Sequence, residues 1–297
     1  MEGRTYEAAG VSLAAAGSVV ERLRAAAEST GALGFGAFAG LYPLDERRLL
    51  AASTDGVGTK LILARQRGRL RDCGADLAAH CINDVLTTGA DPLFFLDYVA
   101  ANRIELELVA ELVEGAADVC RSAGVALIGG ETAELPGIYR DEELDFAGTC
   151  VGIVERERLV DGSRIRAGDV VIGFPSAGVH ANGFTLVRRI LEEEDYDGED
   201  LLAPTRLYLD DIRELPEIHG LAHVTGGGIA GNIARVVPNG LRAELDRDSW
   251  ERQPVFEWLA RHVDEDELRK VFNLGIGYCA VVPDPRQALV IGRIVEE

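Results

Sequence analysis

The stretch Leu49-Leu-Ala-Ala-Ser-Thr-Asp-Gly-Val-Gly-Thr-Lys60 carries the clearest structural signal in this chain. Its first five residues predict a short apolar strand, and the Asp-Gly-Val-Gly that follows predicts a tight turn. A helical pattern begins at residue 61. A strand, a glycine-rich turn and a helix in this order are typical of folds that mix helices with strands.

Elements of both kinds alternate along the rest of the chain, and this alternation predicts an α/β fold of mixed α+β character. The patterns predict helices over 12–28, 75–88 and 106–123 and from Phe184, and strands over 92–101, 125–128, 146–154, 170–174, 222–225, 241–245 and 278–282. A polar segment rich in turn residues, 155–169, predicts a domain boundary. We therefore expect two domains, 1–160 and 161–297.

Composition excludes several classes of protein. The 297 residues are 47% hydrophobic, so the chain can bury a core without disulfide bonds. With 30 Lys+Arg against 50 Asp+Glu, the formal charge of −20 argues against a nucleic acid or an anionic membrane as partner. No stretch reaches the ~18 apolar residues of a membrane span, and the start of the chain lacks a signal-peptide pattern. Five scattered cysteines without a Cys-x-x-Cys pair predict reduced thiols and a cytoplasmic protein.

The turn at residues 55–60 has two interpretations. Asp-Gly is an ordinary turn signal, and the segment can be no more than that. Alternatively, Gly56 and Gly58 let the backbone approach a ligand, Asp55 offers a carboxylate to a hard cation, and Lys60 offers a positive charge to phosphates. The segment is not a Walker A loop, because no Gly-Lys-Ser/Thr occurs in the chain.

Three further acidic residues lie near predicted element ends or inside a buried strand. Asp84 follows Asn83 near the end of a predicted helix, Asp97 interrupts an apolar strand, and Glu131 comes just after another strand. A buried carboxylate needs hydrogen bonds or a metal, so a structural role for Asp97 stays open beside a metal-binding one. Oxygen ligands without a competing His/Cys cluster favour Mg²⁺.

Two glycine-rich loops of the second half each lie between a predicted strand and a predicted helix. The loop Ser176-Ala-Gly-Val-His180-Ala-Asn182-Gly183 contains a histidine that can face a ligand. The loop His223-Val-Thr-Gly226-Gly-Gly-Ile-Ala-Gly231 matches the dinucleotide pattern Gly-x-Gly-x-x-Gly, with Asp246 at a suitable distance for a ribose. Only about 70 residues follow its first glycine, which is short for such a fold. Backbone N–H groups at a helix start would hold a sugar phosphate equally well.

Together these motifs resemble the phosphoribosylformylglycinamidine cyclo-ligase (aminoimidazole ribonucleotide synthetase) family of purine biosynthesis. The resemblance extends over nearly the whole chain. Its most specific parts are Asp55-Gly-Val-Gly-Thr-Lys60 and Pro92-Leu-Phe-Phe-Leu-Asp-Tyr98. It is supported by Gly129-Gly-Glu-Thr-Ala-Glu134, the two loops above, Pro204-Thr-Arg-Leu-Tyr208 and Phe272-Asn-Leu-Gly-Ile-Gly277.

The resemblance implies an ATP- and Mg²⁺-dependent ring closure of the small molecule formylglycinamidine ribonucleotide to 5-aminoimidazole ribonucleotide. In that reaction ATP phosphorylates the formyl amide oxygen, a substrate nitrogen attacks the activated carbon, and phosphate leaves. The resemblance also implies a homodimer formed by the sheet of the first domain, and a second α/β domain that binds the substrate.

The resemblance further assigns roles to the residues that match the family's motifs. Catalysis is expected of Asp55, Lys60 and His180. ATP or its phosphates are expected at Gly56, Gly58, Thr59, Lys60, Asn83, Asp97 and Tyr98. The substrate is expected at Ser176, His180, Asn182, Thr205, His223, Gly226, Gly227 and Gly228, and metal at Asp55, Asp84, Asp97 and Glu131.

The chain departs from the family's pattern at several positions. Ser12 replaces an Asp, His80 replaces a common Met, Ala181 replaces a Ser, and 34–40 is a thinner version of a glycine-rich loop. The chain also ends earlier than is usual for the family, so a missing last helix or strand is an expectation. The rival interpretations are a thiamine-phosphate kinase or hydrogenase-maturation enzyme of the same superfamily, a dinucleotide-dependent oxidoreductase, and a non-catalytic binding module.

Overall fold

The computed structural model describes residues 4–33 and 35–297, which form two five-stranded sheets. The elements of the first half are α1 Leu13–Glu28, β1 Gly40–Pro43, β2 Arg48–Gly56, α2 Lys60–Gln66, α3 Leu70–Leu86, β3 Asp91–Ala101, α4 Leu106–Ala123, β4 Ala126–Glu134 and β5 Leu144–Glu155. Those of the second half are β6 Val170–Pro175, α5 Phe184–Leu191, α6 Leu209–Arg213, β7 Gly220–His223, α7 Gly228–Ala234, β8 Leu241–Leu245, α8 Pro254–Ala260, α9 Glu265–Val271, β9 Ile276–Val282 and β10 Val290–Glu296.

The first sheet has the strand order β1-β2-β5-β3-β4, and only the pair β3–β4 is parallel. Strand β5 alternates in burial: Phe146, Cys150 and Val154 are buried, whereas Val151 and Ile153 are half-buried. Because successive side chains of a strand point to opposite faces, the first set defines an inner face. Helices α3 and α4 pack against each other beside this sheet.

The second sheet has the order β7-β9-β6-β10-β8 and is antiparallel at every pairing. All seven residues of β9 are buried. A dinucleotide-binding fold needs parallel strands on either side of its glycine-rich turn. The strand before the Gly226 loop, β7, instead pairs antiparallel with β9, so the topology excludes the dinucleotide interpretation.

Most predicted elements are present, but several differ from the sequence patterns. Helix α3 begins at Leu70 rather than residue 75, and strand β4 continues to Glu134 rather than ending at residue 128. Strand β7 covers Gly220–His223 rather than 222–225. Strands β1 and β10 were not predicted. The sheets comprise residues 40–155 and 170–296, and the division at residue 160 stays a prediction. No helix of the described residues combines the length and apolar character that a membrane span requires.

Helix α3 joins the two halves. Most of its residues are buried, including the polar Asp76, His80, Asn83 and Asp84. One side of α3 contacts β2, β3 and β5, and it also contacts α6 and β7 of the second half. A helix that is buried on several sides presents its polar residues to partner groups rather than to water, because an unpaired buried polar group is costly.

Candidate active site

Six polar side chains from both halves meet beside α3, and we call them the junction cluster. They are Ser53, Asp55, His80, Asp84, Asn182 and His223. His80 and Asp84 are four residues apart on α3, so they lie on the same side of that helix. Strand β2 contributes the first two members, the loop before α5 contributes Asn182, and the end of β7 contributes His223.

Two imidazole–carboxylate pairs organise the junction cluster. His223 Nδ1 lies 2.8 Å from Asp84 Oδ1, and His80 Nδ1 lies 3.3 Å from Asp55 Oδ2. The two imidazole rings meet edge to face with centroids 4.8 Å apart. Ser53 donates to the second oxygen of Asp84 at 2.9 Å. Both oxygens of Asp84 are therefore engaged inside the cluster.

The cluster opens to solvent at Asp55. Its side chain is 39% exposed, whereas those of His80 and His223 are 4% and 0% exposed. Burial opposes ionisation of Asp55, but the hydrogen bond and positive charge of His80 outweigh it, and the pKa of Asp55 falls below its ordinary value. Asp55 is therefore an ionised carboxylate at the surface of the junction, in contact with the buried imidazole of His80.

The two imidazoles respond differently to the same surroundings. Burial lowers the pKa of both, but the hydrogen bond and charge of Asp55 reverse this for His80 and raise its pKa. For His223 burial prevails over the hydrogen bond to Asp84, and its pKa is lowered. The surroundings therefore favour the protonated form of His80 and the neutral form of His223.

The rim of the cluster comes from the second half and from the chain before β1. Asn182 Nδ2 lies 3.4 Å from His80 Nε2. A Cβ placed on Gly226 would lie 3.8 Å from the Asn182 side-chain oxygen, so the Gly226 loop borders the same space. Arg235 stacks on Phe38 at 3.7 Å from the ring centroid. Gly34, the first residue of the predicted glycine-rich loop, lies outside the described residues.

The structure does not bring the four predicted metal carboxylates together. Asp55 and Asp97 both pair with Gly148 of β5 and point to the inner face, but they lie two strands apart, about 10 Å. The Phe95 ring covers Gly148 between them. Glu131 pairs with Tyr98 and therefore points to the opposite face. Within residues 4–33 and 35–297 no three acidic, His or Cys side chains form a metal cage.

Asp97 is nevertheless unusual, because one of its carboxylate oxygens is buried without a hydrogen-bond partner among the described residues. Burial raises the pKa of this carboxyl. A neutral, protonated carboxyl group would suit this position better than a carboxylate. The structural interpretation of Asp97 is therefore favoured over metal binding.

Lys60 occupies a buried seam between the halves. Its ammonium lies 2.6 Å from Asp76 Oδ2 and donates to the carbonyl oxygens of His180 at 2.8 Å and Ala203 at 3.1 Å. Both Lys60 and Asp76 are 0% exposed. An ammonium has three protons, so no donor remains for a ligand. The structure thus places Lys60 among protein partners, and the expected contact of Lys60 with phosphates stays a prediction.

Several expected ligand-binding residues have hydrogen-bond partners within the chain. Across the seam, Asn83 donates to the Arg206 carbonyl oxygen and accepts from the Tyr208 N–H, while Thr205 donates twice to Asp76. Within the second half, Ser176 donates to Asn273, with Oγ and Oδ1 2.9 Å apart. These bonds show what each side chain contacts in this structure, and the expected roles in binding ATP or the substrate stay predictions.

His180 is fully buried, with a left-handed backbone at φ 64°. Its Nε2 accepts the N–H of Ala177 at 3.1 Å. Burial, followed by the charges of nearby His80, His223 and Lys60, lowers the pKa of His180 well below its ordinary value. A neutral imidazole without access to the cluster surface does not fit the proton shuttle that was expected of it.

The remaining residues expected to bind ATP or the substrate lie in turns, in loops or on the first sheet. Gly58 has φ 69° and allows the turn before α2, while Thr59 shares a 2.9 Å hydrogen bond with Thr185 across the halves. The N–H of Gly227 donates to the carbonyl oxygen of Lys270, and the N–H of Gly228 donates to that of Thr225. Tyr98 points to the outer face, away from the cluster, and Gly56 ends β2 beside Asp55.

The sequence patterns missed two members of the cluster, Ser53 and His80. His80 was noted only as a departure from the family's pattern. Its position four residues before Asp84 on a predicted helix was the available signal, because that spacing places both on one helix face. Ser53 left no signal, since its contact with Asp84 exists only in the folded chain.

The two sheets and the junction between them define an AIR synthase related protein. The family model for the N-terminal domain of such proteins matches residues 36–154, and the model for their C-terminal domain matches residues 166–293. A thiamine monophosphate kinase from Aquifex aeolicus has the same fold, with a TM-score of 0.68 at 16% identity over 94% of this chain and 95% of that one.

Closer relatives narrow the class. The chain is 46% identical to a phosphoribosylformylglycinamidine cyclo-ligase from Nitrosococcus oceani over 99% of this chain and 92% of the relative. It is 47% identical to one from Synechococcus sp. over 96% and 90%. The chain belongs to the phosphoribosylformylglycinamidine cyclo-ligase family.

Proposed function

We propose that this chain catalyses the ATP-dependent cyclisation of formylglycinamidine ribonucleotide to 5-aminoimidazole ribonucleotide, with release of ADP and phosphate. Membership of the cyclo-ligase family over 99% of the chain supports the reaction. The observation that carries the proposal is the junction cluster, in which an ionised and partly exposed Asp55 is held by a buried His80 between the two halves.

The reaction asks little covalent chemistry of the protein. An amide oxygen is a poor leaving group, whereas a phosphorylated one leaves readily. The protein must therefore hold ATP and the substrate in line and neutralise the charge that moves between them. A fixed carboxylate at the contact between two halves, each of which can hold one reactant, is suited to this task.

Asp55 fits a role in holding Mg²⁺ with ATP. Magnesium commonly takes only one or two protein carboxylates and completes its shell with phosphate oxygens and water, so a full protein cage is not needed. When bound, Mg²⁺ would neutralise charge on the phosphates. Asp84 would orient His223 and complete the negative charge of the cluster, since both of its oxygens are engaged.

Asn182 is the substrate-side residue that the geometry favours. It borders the cluster beside His80, and its side chain reaches the Gly226 loop. We infer that its amide contacts the substrate near the formyl amide. Lys60, His180 and Thr205 would instead fix the relative position of the two halves, because their hydrogen bonds join one half to the other.

We further propose that the chain forms a homodimer through the outer face of the first sheet. This face carries the half-buried apolar side chains Leu50, Phe94, Leu96, Val151 and Ile153. A contiguous apolar face is typical of a protein–protein interface. A second copy of the chain would cover it by packing sheet against sheet.

A cytoplasmic location is also a proposal. All five cysteines are buried and free, and Cys81, Cys150 and Cys279 lie in the cores of the two halves. Free buried thiols are usual in proteins of a reducing compartment. Recovery of the activity in the soluble cytoplasmic fraction of the source cells would support the assignment.

The proposed function is tested by incubating the protein with ATP, Mg²⁺ and formylglycinamidine ribonucleotide. ADP release that requires the ribonucleotide, together with an aminoimidazole product, is the expected result. ATP turnover without the ribonucleotide, or turnover that requires thiamine monophosphate, would contradict it in favour of another member of the same fold class.

A further inference from the structure

A cavity of 600 Å³ borders Gly227 and lies outside the junction cluster. It is enclosed by α7, α9, β8 and the loop after β8, and none of its lining residues belongs to the cluster. Four basic side chains line it, Arg242, Arg247, Arg269 and Lys270. Its volume is in the range of small-molecule sites, roughly 300–1,000 Å³.

The positive charge of this cavity is incompletely neutralised. Among the described residues two acidic side chains line it, Glu244 and Asp266, and a third, Glu265, pairs with Arg269 from outside the lining. Glu244 lies 3.9 Å from Arg242. Glu244 is already engaged by Arg293, which lies outside the lining, at 2.9 Å. The chain as a whole has a formal charge of −20, whereas this cavity has more basic than acidic side chains. The local positive charge would attract an anion.

Arg269 already pairs with Glu265 through a terminal nitrogen, but not every N–H of its guanidinium has a partner. Its Nε is buried and has no hydrogen-bond partner among the described residues. Burial lowers its pKa, and nearby Arg247 and Arg252 act in the same direction against the attraction of Glu265. A guanidinium prefers oxyanions because its N–H groups match their geometry. A bound phosphate would accept a hydrogen bond from Nε, and its negative charge would favour the charged form of the guanidinium.

The other wall of the cavity is apolar and rigid. The Trp250 indole donates to the Leu274 carbonyl oxygen at 2.9 Å, which fixes the ring. Ile229, Leu245 and Phe272 complete this wall. The expected phosphate cradle of the adjacent loop is not available, because the Gly227 and Gly228 N–H groups already bond within the chain. The side chains must therefore supply the contacts to an anion.

We propose that this cavity binds a phosphomonoester that carries an apolar or aromatic group, with its phosphate on Arg247, Arg269 and Lys270 and its organic part against Trp250. Two sources share this chemistry. One is the ribose phosphate of the substrate, and the other is a separate nucleotide. The proposal does not depend on which source supplies the ligand, and it does not depend on the proposed reaction.

The test is calorimetric titration of the whole protein with AMP and with ribose 5-phosphate at low ionic strength. Saturable binding is expected, and the double variant Arg247→Ala/Lys270→Ala should weaken it at least ten-fold. Both side chains are exposed, so the variant should fold, and its melting temperature checks this. Arg189→Ala, an exposed arginine of α5 outside the cavity, is the matched control and should leave the affinity unchanged.

Two results would overturn the proposal: absence of saturable binding for both probes, or equal affinities in the wild type and the double variant. Ribose without phosphate should not bind. If binding is present, competition by formylglycinamidine ribonucleotide assigns the phosphate site to the substrate, and simultaneous binding assigns it to a separate nucleotide. A failed cyclisation assay with intact probe binding would contradict the proposed function alone.

Discussion

Asp55 differs from the other three carboxylates predicted to bind metal because it is a member of the junction cluster and is also accessible to solvent. His80 lies behind it, and its other oxygen accepts the N–H of Gly56 at 2.7 Å. Asp84 is enclosed, Asp97 is partly buried with an unpaired oxygen, and Glu131 points to the opposite face of the sheet. A single carboxylate therefore carries the proposed electrostatic role.

Replacing Asp55 with Asn should lower the catalytic rate about 100-fold or more, on the order of 3 kcal/mol of transition-state stabilisation. The size and hydrogen bonding of the side chain are nearly kept, so the melting temperature should change little. Steady-state ADP release measures the effect. Asp91→Asn, at an exposed carboxylate paired with Arg213, is the control. Turnover of Asp55→Asn within a few-fold of wild type would remove Asp55 from the mechanism.

Replacing Lys60 with Ala should instead destabilise the fold, by about 3–5 kcal/mol, because it leaves the Asp76 carboxylate buried without its cation. Urea unfolding measures this loss. Lys270→Ala, at the other lysine of the chain, removes an exposed charge and should change the stability little. Equal stabilities for the two variants, with a raised KM for ATP only in Lys60→Ala, would restore the phosphate role of Lys60.

Lys60 and His180 also mark what the sequence could and could not predict. Their residue types, in glycine-rich turns after strands, predicted contacts with a ligand, whereas the structure shows each of them in contact with the other half. Whether such a side chain faces a ligand or the other half depends on tertiary packing between residues 120 positions apart, as in the Lys60–His180 hydrogen bond. No local pattern contains that information, so the buried contacts between the halves could not be predicted from the sequence.

Helices α3 and α4 approach each other closely because glycines stand at their contact. A Cβ on Gly74 would lie 1.9 Å from the Leu112 carbonyl oxygen, and one on Gly115 would lie 1.9 Å from that of Arg71. The two glycines thus allow each helix to seat against the backbone of the other. The position of α3, and with it His80 and Asp84, depends on this contact.

Gly115→Ala should destabilise the protein by about 3 kcal/mol, because the helices must move apart to admit the methyl group. Gly231→Ala, in α7, has nothing within 4 Å of the added Cβ and should be neutral or stabilising by up to about 1 kcal/mol. Chemical denaturation of both variants provides the comparison. Similar effects of the two substitutions would show that the close contact between α3 and α4 is not needed.

Element types were predictable where the period of the apolar pattern was sustained. Helix α4 was predicted at its observed bounds, Leu106–Ala123, and β8 likewise at Leu241–Leu245. Strand β4 was predicted too short because the polar residues after Ile128 resemble a loop. They remain in the strand because β3 supplies the hydrogen bonds of a parallel partner, and that pairing is not visible in the sequence.

The two halves are joined by buried polar groups, so the stability of the whole molecule should depend on pH. His180 and His223 have pKa values below the ordinary 6.5. Below the pKa of the unfolded chain, these histidines bind protons more readily in the unfolded chain than in the folded one. The stability that each contributes is therefore complete above the unfolded pKa and is lost as the pH falls. His80, whose pKa is raised, acts in the opposite direction.

Between pH 6.5 and about 5 the free energy of unfolding of the wild type should therefore fall. The loss from His180 alone has an upper limit of about 1.4 kcal/mol per pH unit. His180→Asn, which suits the left-handed backbone, should show a smaller slope. Urea titrations across this range give both slopes. Identical slopes would mean that His180 is not buried in its neutral form.

The proposed dimer makes a prediction about the whole assembly. Placing a charge on the outer face with Val151→Arg should convert a dimer to monomers, because a buried unpaired guanidinium is costly. Sedimentation velocity measures the change. Gln287→Arg, at an exposed position between β9 and β10, should leave the assembly unchanged. A wild-type protein that sediments as a monomer at every concentration would contradict the dimer.

We propose that ATP meets the substrate at the junction cluster, with Asp55 as the carboxylate that faces the phosphates. The decisive experiment is a crystal structure of the protein with Mg²⁺ and a non-hydrolysable ATP analogue. We expect phosphate oxygens and Asp55 bound to a shared metal ion, with His80 still in contact with the carboxylate. A nucleotide bound elsewhere, with Asp55 free of both metal and phosphate, would rule out this role of the junction cluster.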